Sequence, residues 1–141
     1  MITLEANAKH AEVARANIAH AGLASVVEVR LGDARVGIKQ LAAEGAGPFD
    51  LIFIDADKEG IPHYLEWSLK LSHRGSLIIV DNVVRDGALI DAKSKDGNVQ
   101  GARRMHDMLA AEPRVSATTI QTVGSKGYDG FTLALVTKDV T

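Results

Sequence analysis

Two stretches of this chain, Phe49-Asp50-Leu51-Ile52-Phe53-Ile54 and Ser76-Leu77-Ile78-Ile79-Val80, are apolar almost without interruption. A strand with one wet face alternates polar and apolar residues. A continuous run is how a strand covered on both faces reads, and that arrangement calls for helices on either side of a sheet. The chain supplies them. Between the two runs, the segment from about Ile61 to Leu71 puts Tyr64, Leu65 and Leu69 on one side of a helix. Earlier, Ile2 to Leu4 and Val26 to Arg30 read as strands. Asn7 is placed to cap a helix reaching about Ala21, with Ala11, Ala14, Ile18 and Ala21 on one face and Gly22 as its stop. A second helix is expected over Ala34 to Ala43, with Ile38, Leu41 and Ala42 inward, broken by Gly45 to Pro48. Further on, Val83 to Asn98 reads as a polar loop and Val99 to Ala111 as a helix ending before Pro113. Ser116 to Val123 and Phe131 to Val136 form a strand pair around the turn Gly124 to Gly130. Strand and helix in alternation predict an α/β fold with a parallel sheet and right-handed crossovers, closed by an antiparallel C-terminal pair. No repeat or linker divides it, so residues 1–141 are expected to form one domain.

Composition narrows the functions. Aromatic residues make up only 4% of the 141, so the core must come from Val, Ile, Leu and Ala. The net charge of −2, with no Lys/Arg run, gives no general attraction to nucleic acid or to an anionic membrane. Cysteine is absent, which excludes disulfides, thiolate metal sites and thiol nucleophiles, and fits a reducing cytoplasm. Met1 to Glu5 has neither the basic start nor the apolar core of a signal peptide. No apolar run approaches the roughly 20 residues of a membrane helix.

In an open parallel sheet, ligands bind beyond the carboxyl ends of the strands. The residues just past each strand are therefore the informative ones: Glu5; then Gly32, Asp33 and Ala34; then Asp55, Asp57 and Lys58; then Asp81 and Asn82. They are expected to converge on one edge. A carboxylate there can accept both hydroxyls of a ribose, a role that suits Glu5. Asp and Asn oxygens without cysteine suit a hard cation such as Mg²⁺ or Ca²⁺. Asp55 and Asp81 are separated by one strand–helix–strand crossover, so they end neighbouring strands, and Asn82 adds a third oxygen. A bound cation would relieve the repulsion between the two carboxylates. The plainer reading is that Asp33 and Asp57 are helix caps, Glu5 a solvated acid and Lys58 a solvated helix-start lysine. The five histidines lack metal-ligand spacing, and Tyr64 and Trp67 read as packing residues, with Tyr64 also within possible reach of a cofactor.

Taken together, the segments ITLE (2–5), AEVARANIAHAG (11–22), LGDA (31–34), FDLIFIDADK (49–58) and GSLIIVDN (75–82) resemble the cation-dependent O-methyltransferases. That group includes catechol and caffeoyl-CoA O-methyltransferases and bacterial relatives. The FIDADK and VDN pair at this spacing is the specific part. The resemblance implies a Rossmann-like sheet, S-adenosylmethionine as cofactor, Mg²⁺ or another divalent cation, and a small hydroxylated, catechol-like acceptor. By the same resemblance Asp55, Asp81 and Asn82 match the metal ligands and Glu5 the carboxylate on the cofactor ribose. Gly32, Asp33 and Ala34 match the segment beside the adenine, and Asp57 a residue near the cofactor's polar end. Lys58 falls where catechol-type members carry their proposed general base, so Lys58 and Asp55 are the expected catalytic pair.

Two departures stand out. The chain starts at the family's second strand, without the glycine-rich loop after the first strand and without the N-terminal helices. His106, after Met105, replaces the Asn usual in relatives. An open sheet edge invites pairing with a second chain, so a homo-oligomer, a dimer in the simplest case, is expected. The competing reading is a binding or interaction module of methyltransferase descent that turns over weakly or not at all. A receiver-like nucleotide-binding fold fits less well, since receivers carry their paired acids after the first strand.

Overall fold

Asn7 ends the first strand connection and starts the first helix, accepting the N–H groups of Lys9 and His10 at 2.8 and 3.2 Å. The computed structural model describes residues 1–125 and 127–139 and falls into two units, Met1–Ala46 and Gly47–Thr141. In the first unit, β1 (Ile2–Glu5), α1 (Ala8–His20), β2 (Glu28–Leu31) and α2 (Ala34–Ala43) follow one another. β1 and β2 pair in parallel, from Ile2 opposite Glu28 to Glu5 opposite Leu31. Ala11, Ile38 and Leu41 are buried as their helical spacing requires, while Ala21, expected on the same face as Ala11, is exposed just past the helix end.

The second unit contains β3 (Leu51–Ile54), α3 (Ile61–Lys70), β4 (Leu77–Asp81), α4 (Gly97–Ala111), β5 (Val115–Gly124) and β6 (Gly127–Val136). Its sheet runs in the order β3-β4-β6-β5. β3 and β4 are parallel; β6 is antiparallel to both of its neighbours. Pro62 lies at the start of α3, where its missing N–H costs nothing. Ile61, Leu65, Ile78, Val80, Ala102 and Met105 are fully buried and form the centre of this unit. Thr132, also buried, is satisfied by the hydroxyl of Thr119 across the β5–β6 pair at 2.8 Å.

Three expectations need correction. β3 is not covered on both faces: Ile54 is buried, but Leu51 and Phe53 are each 59% exposed. The reason is position, since β3 ends its sheet, whereas β4, flanked by β3 and β6, buries Ile78 and Val80 completely. The segment after β4 is not all irregular. It contains a 3₁₀ stretch, Arg85–Ile90, broken where Asp86 and Gly87 take positive φ of 52° and 78°, and α4 already starts at Gly97. The C-terminal strands are longer than expected and run to Gly124 and from Gly127. Of the expected turn Gly124 to Gly130, Lys126 lies outside the described residues.

Candidate active site

The β3–β4 ladder sets the spacing of the first acids. Ile54 is the partner of Val80 in a parallel pair whose strands run about 4.8 Å apart, so Asp55 and Asp81 each come one residue after the last paired level. Asn82 follows at φ +58°, in the left-handed region that Asn tolerates better than most residues, and its N–H donates to Asp81 Oδ1 at 2.8 Å. Two carboxylates and an amide are oxygen donors of the kind a hard divalent cation prefers, and Mg²⁺ would fit this donor set. Among the described residues no group of three or more His, Asp or Glu side chains gathers as a metal cluster, so a cation here would depend on the amide of Asn82.

Asp55, half exposed, accepts a hydrogen bond from Lys58 Nζ at 2.7 Å, and the Lys58 side chain is only 10% exposed. Lysines are rarely so covered unless paired. The turn that carries it is tightly packed. Lys58 opens the 3₁₀ turn Lys58–Gly60, and Gly101 of α4 lies against that turn so closely that a Cβ at 101 would strike the Lys58 carbonyl oxygen. A glycine inside a helix costs about 1 kcal/mol relative to Ala. Gly101, a glycine inside a helix, is the sequence signal of this close approach.

Asp57 is the N-cap of the same turn. Its Oδ2 accepts the Gly60 N–H at 2.9 Å and its Oδ1 the Tyr64 hydroxyl at 2.5 Å. The capping reading thus holds for Asp57, and Tyr64, buried in α3, is tied to it rather than serving packing alone.

The first unit has its own strand edge. Gly32 N–H donates to the Glu5 carbonyl at 2.9 Å, which brings the ends of β1 and β2 side by side. Gly32 has φ +150°, a conformation closed to residues with a Cβ, and it turns the chain into the cap of α2. Asp33 accepts the Arg35 N–H at 2.8 Å, and Ala34 is the first helical residue. Glu5 Oε1 accepts the Asn7 N–H at 2.7 Å and lies 3.9 Å from His10 Nδ1. Glu5, Gly32, Asp33 and Ala34 are therefore gathered at one edge, as their positions after the strands required.

Residues not singled out in the sequence, joined by His106, hold the segment after β4. Asp129 Oδ1 accepts three backbone N–H groups, from Val84 and Arg85 at 3.0 Å and from Gly130 at 2.9 Å. Asp86 Oδ1 accepts the Tyr128 N–H at 2.9 Å, and the Tyr128 hydroxyl donates to the Asp86 carbonyl at 2.6 Å. From α4, His106 Nε2 lies 3.3 Å from the Val83 carbonyl, and the Arg103 guanidinium donates to the Leu89 carbonyl.

Helix–strand alternation with acids at the carboxyl ends of parallel strands is the arrangement of a Rossmann-like α/β fold. Comparison with known proteins agrees. The O-methyltransferase family matches residues 1–137, and the chain belongs to that family. It is 54% identical over 136 residues to the catechol O-methyltransferase of Niastella koreensis, covering 96% of this chain and 62% of that protein. Against the catechol O-methyltransferase of Mycobacterium tuberculosis the identity is 51%, covering 96% and 60%. Among solved structures, the O-methyltransferase from Bacillus cereus in complex with SAH superposes with a TM-score of 0.93 at 58% identity, covering 96% of this chain and 61% of that one. The chain thus spans about three fifths of the length of these relatives.

Proposed function

We propose that this chain serves S-adenosylmethionine-dependent methyl transfer to a hydroxyl of a small, catechol-like acceptor, assisted by a divalent cation such as Mg²⁺. The observation that carries the reading is the placement of Asp55 and Asp81 at the same level of adjacent parallel strands, with the covered Lys58 bonded to Asp55. The catechol O-methyltransferase relatives and the SAH complex of the Bacillus cereus enzyme support it.

In this reading Asp55, Asp81 and Asn82 hold the cation. When bound, a divalent cation lowers the pKa of a coordinated hydroxyl and fixes its oxygen. Methyl transfer from a sulfonium is an in-line displacement, so a positioned, deprotonated oxygen is the main requirement. Lys58 is assigned the proton. Its Nζ donates to Asp55 in the structure, and as the neutral amine it would take the proton through its lone pair while an N–H stays on that carboxylate. Glu5 is assigned to the cofactor ribose, with Gly32, Asp33 and Ala34 beside it at the first unit's strand edge. Asp57 keeps the cofactor-side role that the resemblance implies; its caps on Gly60 and Tyr64 fix its orientation.

Association with a second copy belongs to the same reading, since Leu51 and Phe53 lie exposed on the terminal strand β3. So does a cytoplasmic setting, supported by the cysteine-free sequence. No helix among the described residues is long and apolar enough to cross a membrane.

Calorimetric titration of the chain with S-adenosylmethionine and with its demethylated product, with and without Mg²⁺, tests the reading. Binding of both, and methyl transfer to catechol that needs the cation, is the expected result. A folded chain that binds neither compound would overturn it.

A further inference from the structure

We propose that Asp129 is a positioning residue for the cation site, holding the backbone after β4 in the shape that lets Asp81 and Asn82 present their oxygens. The inference rests on the cation reading above. Among the described residues Asp129 makes no hydrogen bond to Asp81 or Asn82; its partners are Val84, Arg85 and Gly130. It lies on β6, two residues before Phe131, which pairs with Asp81.

The backbone leaving β4 needs an external anchor. The ladder with β6 continues one step past Asp81, through the Val83 N–H to the Gly130 carbonyl at 3.0 Å, and then ends. Asn82, Arg85 and Asp86 all have positive φ, at 58°, 53° and 52°. Residues with side chains adopt that region only when their surroundings impose it. The imposing group is one carboxylate oxygen. Asp129 Oδ1 takes the next two N–H groups of the turn, Val84 and Arg85, and at the same time the Gly130 N–H of its own strand. Hydrogen bonds from N–H groups to an ionised carboxylate are among the stronger kinds. Tyr128 adds a second fastening through both hydrogen bonds to Asp86. There is little room for the strand to drift, because a Cβ at Gly130 would strike the Ile120 carbonyl oxygen and crowd Val84. Asp129 therefore fixes the turn from one side while the β4 ladder fixes it from the other, and Asn82 lies between them.

The test compares the parent chain with Asp129→Ala and Asp129→Asn, using Mn²⁺ titration by calorimetry and amide hydrogen exchange at Val84 and Arg85 in the metal-free protein. Asp129→Ala is expected to weaken Mn²⁺ binding by about 10- to 100-fold, the usual effect of removing a group that orients ligands. Asp129→Asn keeps an acceptor oxygen without the charge, so it should recover part of that loss and remain folded if the Ala variant does not. Exchange at Val84 and Arg85 should quicken in the same order. If either variant exchanges faster there yet binds Mn²⁺ as the parent does, the proposal is overturned, because the turn would then not govern the cation. A parent chain that protects both amides and binds no Mn²⁺ would instead overturn the cation reading, and the proposal with it.

Discussion

Asp81 Oδ1 receives the N–H of Asn82, so one side chain both closes the strand and orients the residue after it. Replacing it should be felt first by the cation. Asp81→Ala is expected to abolish the rise in melting temperature that Mg²⁺ gives the parent; an undiminished rise would refute the assignment. Gly101 offers a different kind of test, because its role is to be absent. A methyl there meets the Lys58 carbonyl oxygen, which is backbone and cannot swing away. Gly101→Ala should cost about 1–3 kcal/mol in urea unfolding, as overpacking does, and should lower methyl transfer by moving Lys58. A variant as stable as the parent would sink that account. The places of Asp55, Asp81 and Asn82 at the ends of β3 and β4 could be read from the sequence because strand ends announce themselves through apolar runs. Asp129 could not. Its partners Val84 and Arg85 lie 45 and 44 residues away, and nothing local to Tyr128-Asp129-Gly130 marks it as their acceptor.

At the level of elements, the helices were legible and the strand surroundings less so. α1, α2 and α3 begin and end within a residue or two of where caps and apolar spacing put them, because both signals are local. The exposed side of β3 was not legible. An apolar run states what a strand can bury, and only its neighbours decide what it does bury. The junction from α4 to β5 carries a prediction of its own. Arg114, through a hydrogen bond of 2.8 Å from its Nε, holds the Glu112 carboxyl below its ordinary range. A lowered folded-state value means stability that is present above the ordinary carboxylate range and lost as pH falls through the lowered value. Glu112→Gln should therefore lower the melting temperature at neutral pH and converge with the parent in acid. An equal difference at both pH values would contradict it.

For the molecule as a whole, the family could be read across almost the entire sequence, and the boundary between the two units falls in the Gly45 to Pro48 stretch that the sequence marks as a helix break. Association is the property that belongs to this scale. Light scattering should give the parent chain a mass above that of one copy, and Phe53→Lys should shift it toward the monomer, since a charge on a terminal strand opposes edge pairing. A parent that is already a monodisperse monomer would end that proposal. The β3–β4 ladder also says where this chain can tolerate changes in length. Each strand residue advances about 3.3 Å, and a slip of one turns every side chain to the opposite face. One residue added inside β4 would turn Asp81 away from the level of Asp55. The same residue added between Leu71 and Ser76, after α3 and before β4, could be absorbed there without changing which residues face each other. Insertions and deletions among functional homologues should therefore fall in that connection and spare the strands.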